Sequence, residues 1–560
     1  MSRNLTTFRR AIREVLISLN RNVSRQDVLA LCRYALEGNS QSHELDYFFA
    51  NISEDERYYW VSNLYAQLMP EKRRKRLATF FTPPTLCQHV INRLIEEGLD
   101  FGRHTIIDPS SGGAAFLIPL AKHIRDDLRS KNAKPKDILN EIESRLTGIE
   151  IEPGLSQLSK IMLHDLLNKE LKISKENFSP AILQANTLHY KFDNNLFDAV
   201  IGNPPYGRIY RPSNRLRMDY NEVITEGYTN LYSLFIYKAL KIVRPGGLIG
   251  LIVPTSFISG PYFADLRISI LNRAHVIGID IIKKRRDVFL DVQQDTCVLF
   301  MRRRKTEQLH IQKPECKLID TNGSWLQIGQ ISIPDLPSST PWVMPSEERN
   351  TLHNSHFFSK QFPRLRDYGY EVRSGYFVWN REKERHREGH KPKNGEFPLI
   401  WAHTVRANLP CYPDTHKKSP NKPKFKSFVR FNHDSSSILR QPAIVLQRTT
   451  NRHQGRRLIA GIASQELVDQ YGGYITENHT ILIYPASGLE QRVSLETLCA
   501  LLNCKPVDDR YRQISGSVNI SVKLIRQLPL PPPDRLTIKL KSGFDIDTAA
   551  LESYKEATEG

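Results

Sequence analysis

The run Phe197-Asp-Ala-Val-Ile-Gly-Asn-Pro-Pro-Tyr-Gly207 decides the fold. An apolar strand leads directly into Asn203-Pro204-Pro205-Tyr206. Two consecutive prolines fix the backbone and offer no N–H, so they end a hydrogen-bonded ladder. The side-chain oxygen of Asn203 and the carbonyl of Pro204 are thereby held as acceptors at the strand's carboxyl end, with the Tyr206 ring beside them. Two converging acceptors and a flat ring suit an exocyclic amino group on a planar heterocycle. A rigid turn without chemistry would use the same prolines, so the surroundings must decide.

Upstream, Ile106-Ile-Asp-Pro-Ser-Ser-Gly-Gly-Ala-Ala-Phe-Leu117 reads as strand, acidic residue, small-residue loop and helix. Small residues let the backbone approach a ligand, and a helix N-terminus follows. Asp108 ahead of the loop argues against a phosphate and for a cation, such as an amino acid's ammonium group. Leu146-Thr-Gly-Ile-Glu-Ile-Glu-Pro153 then places Glu150 at a strand end, the position that suits a ribose diol in dinucleotide folds. Further strand-like runs are Ala181–Leu183, Leu248–Val253, Val276–Ile282 and Thr296–Phe300, with helical patterns such as Leu155–Leu167 and Leu231–Val243 between runs. This alternation predicts an α/β fold, a doubly wound mixed but mostly parallel sheet with ligands at the carboxyl ends of its strands.

In this order the segments resemble the gamma-class, Taq-like N6-adenine DNA methyltransferases. Phe81-Thr-Pro-Pro84 is similar to the family's first cofactor motif, which would give Thr82 and Pro83 to the cofactor. Asp108 to Phe116 is similar to its methionine-binding loop, implicating Asp108, Ser110, Gly112 and Phe116. Glu150 and Ile151 match the adenosine-binding strand end, and Asn186-Thr187 stands where the family usually has an Asp on the cofactor adenine. Asn203 to Tyr206 is a complete match to the catalytic motif. Asn230-Leu-Tyr-Ser-Leu-Phe235 and Arg244 to Pro254 resemble later sheet motifs, with Phe235 and Pro205 lining the adenosine pocket. Asp287-Val-Phe-Leu290 looks like the segment whose Phe stacks on the target base, here Phe289. Two departures are Ala114, in place of the second loop glycine, and Asn186.

The resemblance implies S-adenosylmethionine as methyl donor, no metal, and an adenine flipped out of double-stranded DNA. Asn203 and the Pro204 carbonyl would accept the amino protons, and Tyr206 and Phe289 would sandwich the base. The catalytic residues implied are thus Asn203, Pro204, Tyr206 and Phe289. Tyr206→Phe is expected to be mild and Tyr206→Ala severe. Rival readings are an amino methyltransferase acting on protein glutamine or RNA, and a DNA-binding module with an inactive core.

Composition favours DNA. The 560 residues carry a net charge of +19, and Glu371–Ala460 alone has 19 Lys+Arg against 7 Asp+Glu, with interleaved aromatics. A basic excess points to a polyanion. Ile444-Val-Leu-Gln-Arg-Thr-Thr450, Glu477-Asn-His-Thr480 and Leu498 to Asn503 resemble the target-recognition domain of modification enzymes. Arg373, Trp401, Arg406, Arg448, Arg452, Arg456 and Arg457 are the DNA-contact candidates there. The expected organisation is a helical region over 1–75, a catalytic domain over 76–305, a connector over 306–370, a target-recognition α+β domain over 371–535, and a tail over 536–560, with Leu528-Pro-Leu-Pro-Pro-Pro533 ending ordered packing. Three helices are expected near the N-terminus, the third starting after Ser53 with Glu56 in capping-box position. The basic run Glu71 to Arg76 reads as a solvated face or a phosphate contact. Seven scattered cysteines without a C-x-x-C pair argue against a zinc site or disulfide framework and fit a reducing cytoplasm. No apolar run approaches the ~18–20 residues of a membrane span. A monomer is expected, with any cognate restriction endonuclease a separate protein.

Overall fold

The computed structural model describes residues 2–18, 24–40, 42–70, 73, 81–171, 178–192, 196–224, 229–282, 295–305, 313–320, 322–334, 340–345, 362–414, 426–449, 455–515 and 519–559. Phe289 and Arg452 lie outside them. The chain forms two compact units, Met1–Ile258 with Tyr262–Thr340, and Pro341–Gly560 with Ser259–Pro261.

The first unit begins with four helices, α1 (Ser2–Ser18), α2 (Arg25–Glu37), α3 (His43–Ala50) and α4 (Glu54–Leu68). Ser53 caps α4 through the Glu56 amide, as the sequence predicts. The unpredicted helix is α3, whose eight residues bury only Leu45, Phe48 and Phe49, too few for a periodic signal. Phe8, Phe48 and Trp60 cluster, with Trp60 ring centroids 4.6 Å from Phe8 and 5.3 Å from Phe48. These helices are not a separate region: their apolar side chains belong to the same continuous core as the sheet.

Nine strands form that sheet: β1 (Ile106–Asp108), β2 (Leu146–Glu150), β3 (Ala181–Gln184), β4 (Phe197–Gly202), β5 (Val243–Pro254), β6 (Ala274–Ile282), β7 (Thr296–Arg303), β8 (Glu315–Ile319) and β9 (Trp325–Gln330). Their order is β9-β8-β6-β7-β5-β4-β1-β2-β3. Pairing is parallel from β5 through β4, β1 and β2 to β3, and between β6 and β8; β7 runs antiparallel to both β5 and β6, and β9 to β8. The sheet is therefore mixed and mostly parallel, as read from the alternation. The extra pair β8–β9 lies where a connector was expected to begin, so the sheet extends past residue 305. The strand order reverses at β1, between β4 and β2, which is the topological switch point where such sheets bind ligands. Helix α5 (Pro84–Glu96) packs so tightly on β5 that a Cβ at Gly250 would lie 2.9 Å from Leu94.

The second unit holds two four-stranded sheets. One orders Tyr370–Ser374, Thr480–Pro485, Ala443–Gln447 and Ala460–Ala463, all antiparallel. The other orders His386–Gly389, Lys426–Arg430, Glu396–Ile400 and Ile475–Thr476. Helices Leu495–Asn503, Lys505–Ile514, Pro533–Lys541 and Ile546–Glu559 share the core of the first sheet. This corrects the expectation of a tail after 535. Leu536, Ala549, Ala550 and Tyr554 are fully buried. The proline run does not end packing either: the Tyr554 hydroxyl donates to the Pro529 carbonyl at 2.7 Å, and Tyr368 donates to that of Pro531. Prolines lack donors but keep acceptors, so the run serves as a row of carbonyls for buried tyrosines. All seven cysteines are buried free thiols. Among the described residues, no helix is long and apolar enough to cross a membrane, and no His/Cys/Asp/Glu group could hold a metal.

Candidate active site

Strands β1, β2 and β4 end side by side, presenting Asp108, Glu150 and Asn203 at the switch point. Their approach requires Gly202, because a Cβ there would lie 2.7 Å from Asp108 Oδ1. Asp108 is 1% exposed and accepts the Ser110 amide at 2.9 Å. Burial pushes its carboxyl up to about 8, against the pull of that amide. Glu150 accepts the Gly112 amide at 2.9 Å and the Glu152 amide at 2.7 Å, and burial still pushes it up to about 7. Burial thus shifts both carboxyls towards the neutral form, Asp108 further than Glu150. Ser110 Oγ is buried between them in sequence with no hydrogen-bond partner, a polar atom awaiting one.

The loop after β1 turns through left-handed backbone at Gly112 (φ +51°) and Ala114 (φ +59°). Ala114 therefore keeps the conformation that glycine favours, at a cost of about 1–2 kcal/mol for an L residue. Ser111 N donates to Ile149 O at 2.9 Å, tying the loop to the end of β2.

Asn203 is oriented from both sides. Its Nδ2 donates to Thr82 Oγ1 at 3.1 Å, and its Oδ1 accepts the Tyr206 hydroxyl at 2.7 Å, with the Ile252 carbonyl 3.3 Å from the same hydroxyl. The Tyr206 ring is 8% exposed and meets Tyr232 edge-on at 6.5 Å. Thr82 thus touches the catalytic motif, a contact the sequence did not reveal. Thr187 Oγ1 donates to the Pro109 carbonyl at 2.5 Å, and exposed Asn186 caps its own turn by accepting the Leu188 amide at 3.1 Å. Ile151 is exposed beside Glu150, and Pro205 is half-buried after Pro204. Pro83, Phe116 and Phe235 are buried.

Four further residues support this site and were missed. Ser62 on α4 lies against Gly113, its Oγ donating to the Tyr58 carbonyl at 2.9 Å and standing 3.0 Å from that of Gly113. Buried Glu152 accepts the Tyr65 hydroxyl at 3.0 Å, Arg73 at 2.7 Å and the Leu155 amide at 2.6 Å. Arg73, part of the basic run read as a solvated face or phosphate contact, is instead an ion-pair partner.

In the second unit the proposed DNA contacts separate. Trp401 is 1% exposed and donates to Ser427 Oγ at 2.9 Å, so it packs in the core while lining the cavity shared with Arg406 and Arg456. Arg457 binds Ser515 through its side chain and Asp508 through its backbone. Arg373 donates to the Ser436 carbonyl and lies over the Tyr484 ring at 5.6 Å. Arg448 donates to the Asn478 carbonyl at 3.2 Å. Arg406 and Arg456, both exposed, line a cavity of about 750 Å³ with Gln447, Thr449 and His479.

The sheet is mixed, with antiparallel β7 inserted beside β5 and Asn-Pro-Pro-Tyr at the switch point, as the resemblance to methyltransferases implies. Residues 104–289 match the family described as Eco57I restriction-modification methylase. The Type II methyltransferase M.BsuBI of Bacillus subtilis is 26% identical over 482 residues, which cover 83% of this chain and 89% of that protein. M.PstI of Providencia stuartii is 24% identical over 492 residues, covering 84% and 89%. The fold is shared with the Type IIL restriction-modification enzyme MmeI, solved in complex with DNA, at a TM-score of 0.55 and 12% identity over 93% of this chain and 80% of that one. The chain is a methyltransferase of the restriction-modification type and similar to the gamma-class enzymes.

Proposed function

We propose that this enzyme transfers a methyl group from S-adenosylmethionine to N6 of an adenine flipped out of duplex DNA. The observation that carries the reading is Asn203, fixed by Thr82 and Tyr206 at the end of β4 and beside buried Asp108. The residues present fit the cofactor: Asp108 for its ammonium, Glu150 for its ribose hydroxyls, and the unpartnered Ser110 Oγ for a polar group between. When bound, S-adenosylmethionine supplies an electrophilic methyl on a sulfonium.

The chain's own contribution is to the amine. An adenine amino nitrogen is a poor nucleophile because its lone pair is delocalised into the ring. Asn203 Oδ1 has a second lone pair beyond the one facing Tyr206. That oxygen and the Pro204 carbonyl accept the two amino protons and draw the nitrogen towards tetrahedral, freeing its lone pair. Positioning and fixed dipoles supply the acceleration, because both acceptors are already held in place. The adenine leaves the stack at a cost of a few kcal/mol. Stacking on Tyr206 returns ~1–3 kcal/mol. In the second unit, Arg406 and Arg456, which line the cavity with Gln447, Thr449 and His479, offer donors and acceptors for base edges.

Asn203→Ala tests the assignment. Methylation is expected to be lost while cofactor affinity, measured calorimetrically, stays within threefold of wild type. Parallel loss of both would falsify the role given to Asn203.

A further inference from the structure

Directly after the catalytic motif, Gly207-Arg-Ile-Tyr-Arg-Pro-Ser-Asn-Arg-Leu-Arg-Met218 holds four arginines, against which stands Asp219, 3.8 Å from Arg215. Its backbone is anchored. Arg208–Ile209 pairs antiparallel with Thr229–Asn230, and Gly207 O accepts the Leu231 amide at 2.8 Å. Ser213 caps the helical turn Asn214–Asp219, while Pro212, Leu216 and Tyr220 are buried beneath it. The Tyr220 hydroxyl donates to Leu188 O at 2.9 Å, and Arg215 reaches His189 O at 3.5 Å. Both carbonyls belong to the turn that carries Asn186 and Thr187, so the segment lies on the same edge of the sheet as the site.

The outer face is unusual for a solvated surface. Arg211, Arg215 and Arg217 are exposed, and among them Tyr210 is 70% exposed and Met218 78%. A solvated loop gains nothing from displaying a tyrosine and a methionine beside clustered like charges. A polyanion with apolar faces between its charges matches both features at once. Nucleic acid is such a partner, with phosphates for the guanidinium groups and bases for the apolar tips.

We propose that Gly207–Met218 is a DNA-gripping surface belonging to the catalytic unit. Arg211, Arg215 and Arg217 neutralise phosphates of the strand that carries the target base, and Tyr210 and Met218 pack into the gap left when that base is extruded. The proposal rests on the duplex-DNA reading above and adds the residues that hold the duplex open.

The test uses the full-length protein and duplex DNA over a range of KCl concentrations. Each phosphate contact contributes about −0.9 to the slope of log K against log salt. R211Q/R215Q/R217Q is expected to reduce the magnitude of that slope by about 2–3, with melting temperature and cofactor affinity unchanged. An unchanged slope in a folded variant overturns the phosphate contacts. Tyr210→Ala with Met218→Ala is expected to lower kcat/KM at least tenfold on duplex DNA and much less on single-stranded DNA, which needs no gap filled. Equal effects on the two substrates overturn the packing role. Wild-type protein that binds cofactor yet ignores duplex DNA at low salt would sink the duplex-DNA reading itself, and with it this surface.

Discussion

In the proposed reaction Asn203 acts through one amide whose two ends are already engaged, and the Tyr206 hydroxyl is half of that arrangement. The Asn-Pro-Pro-Tyr motif made the ring's role legible, but not the hydroxyl's, because a hydrogen bond within the motif depends on where the prolines turn the chain. Tyr206→Phe should therefore cost more than stacking alone suggests. Loss of one hydrogen bond is worth roughly 0.5–1.5 kcal/mol, so kcat should fall about 3- to 10-fold with cofactor affinity unchanged, measured by single-turnover methylation. Asp108 carries a second consequence. Burial holds its carboxyl up near 8, whereas a cofactor ammonium favours the ionised form. Binding must then release a proton at neutral pH. Affinity should rise with pH, by up to tenfold per unit below about 7, and level off above 8; calorimetry in buffers of different ionisation enthalpy reads the proton directly. In the free protein the sign is opposite. A carboxyl whose folded pKa is raised contributes stability that is present below its unfolded value near 4 and is lost as pH rises through 8. Asp108→Asn should weaken both dependences, leaving the part that Glu150 contributes.

At the scale of elements, the strands were readable as short apolar runs, and β1, β2, β4 and β5 are closed by Asp108, Glu150, Gly202 and Pro254; β1 to β7 all fall where the sequence put them. The N-terminal helices were readable as helices but not as part of the site. Their contacts reach 51 residues forward from Ser62 to Gly113 and 87 from Tyr65 to Glu152, distances over which no local pattern signals pairing. The consequence is testable by compensation. A Cβ at Gly113 would fall 2.2 Å from Ser62 Oγ and 2.5 Å from its Cβ. Gly113→Ala should weaken cofactor binding at least tenfold and lower the melting temperature, and Ser62→Gly in the same chain should restore most of both. Failure of the second change to rescue the first would show that α4 does not set the loop's position.

Across the whole molecule, charge is distributed less simply than a count suggests. The +12 of Glu371–Ala460 marks the second unit as basic, yet several of its arginines are engaged by carbonyls, Arg406 and Arg456 at the large cavity among them. The catalytic unit is also basic, with 46 Lys+Arg against 37 Asp+Glu over residues 1–340, and that charge is unevenly spread. Arg73 is neutralised by Glu152, while Gly207–Met218 concentrates four arginines beside the catalytic motif. Net charge is read from a sequence at once; which charges are paired depends on tertiary contacts. The final helices, likewise, read as a tail because the proline run looks like a terminator, and only the fold shows tyrosines using its carbonyls. The most direct test of the central claim is to incubate the purified protein with S-adenosylmethionine and unmethylated duplex DNA of complex sequence, and to map modified bases by sequencing that detects N6-methyladenine. Methylated adenine confined to one short motif with wild-type protein, and none with Asn203→Ala, is the predicted result. No N6-methyladenine in any context, or undiminished methylation by Asn203→Ala, would contradict it.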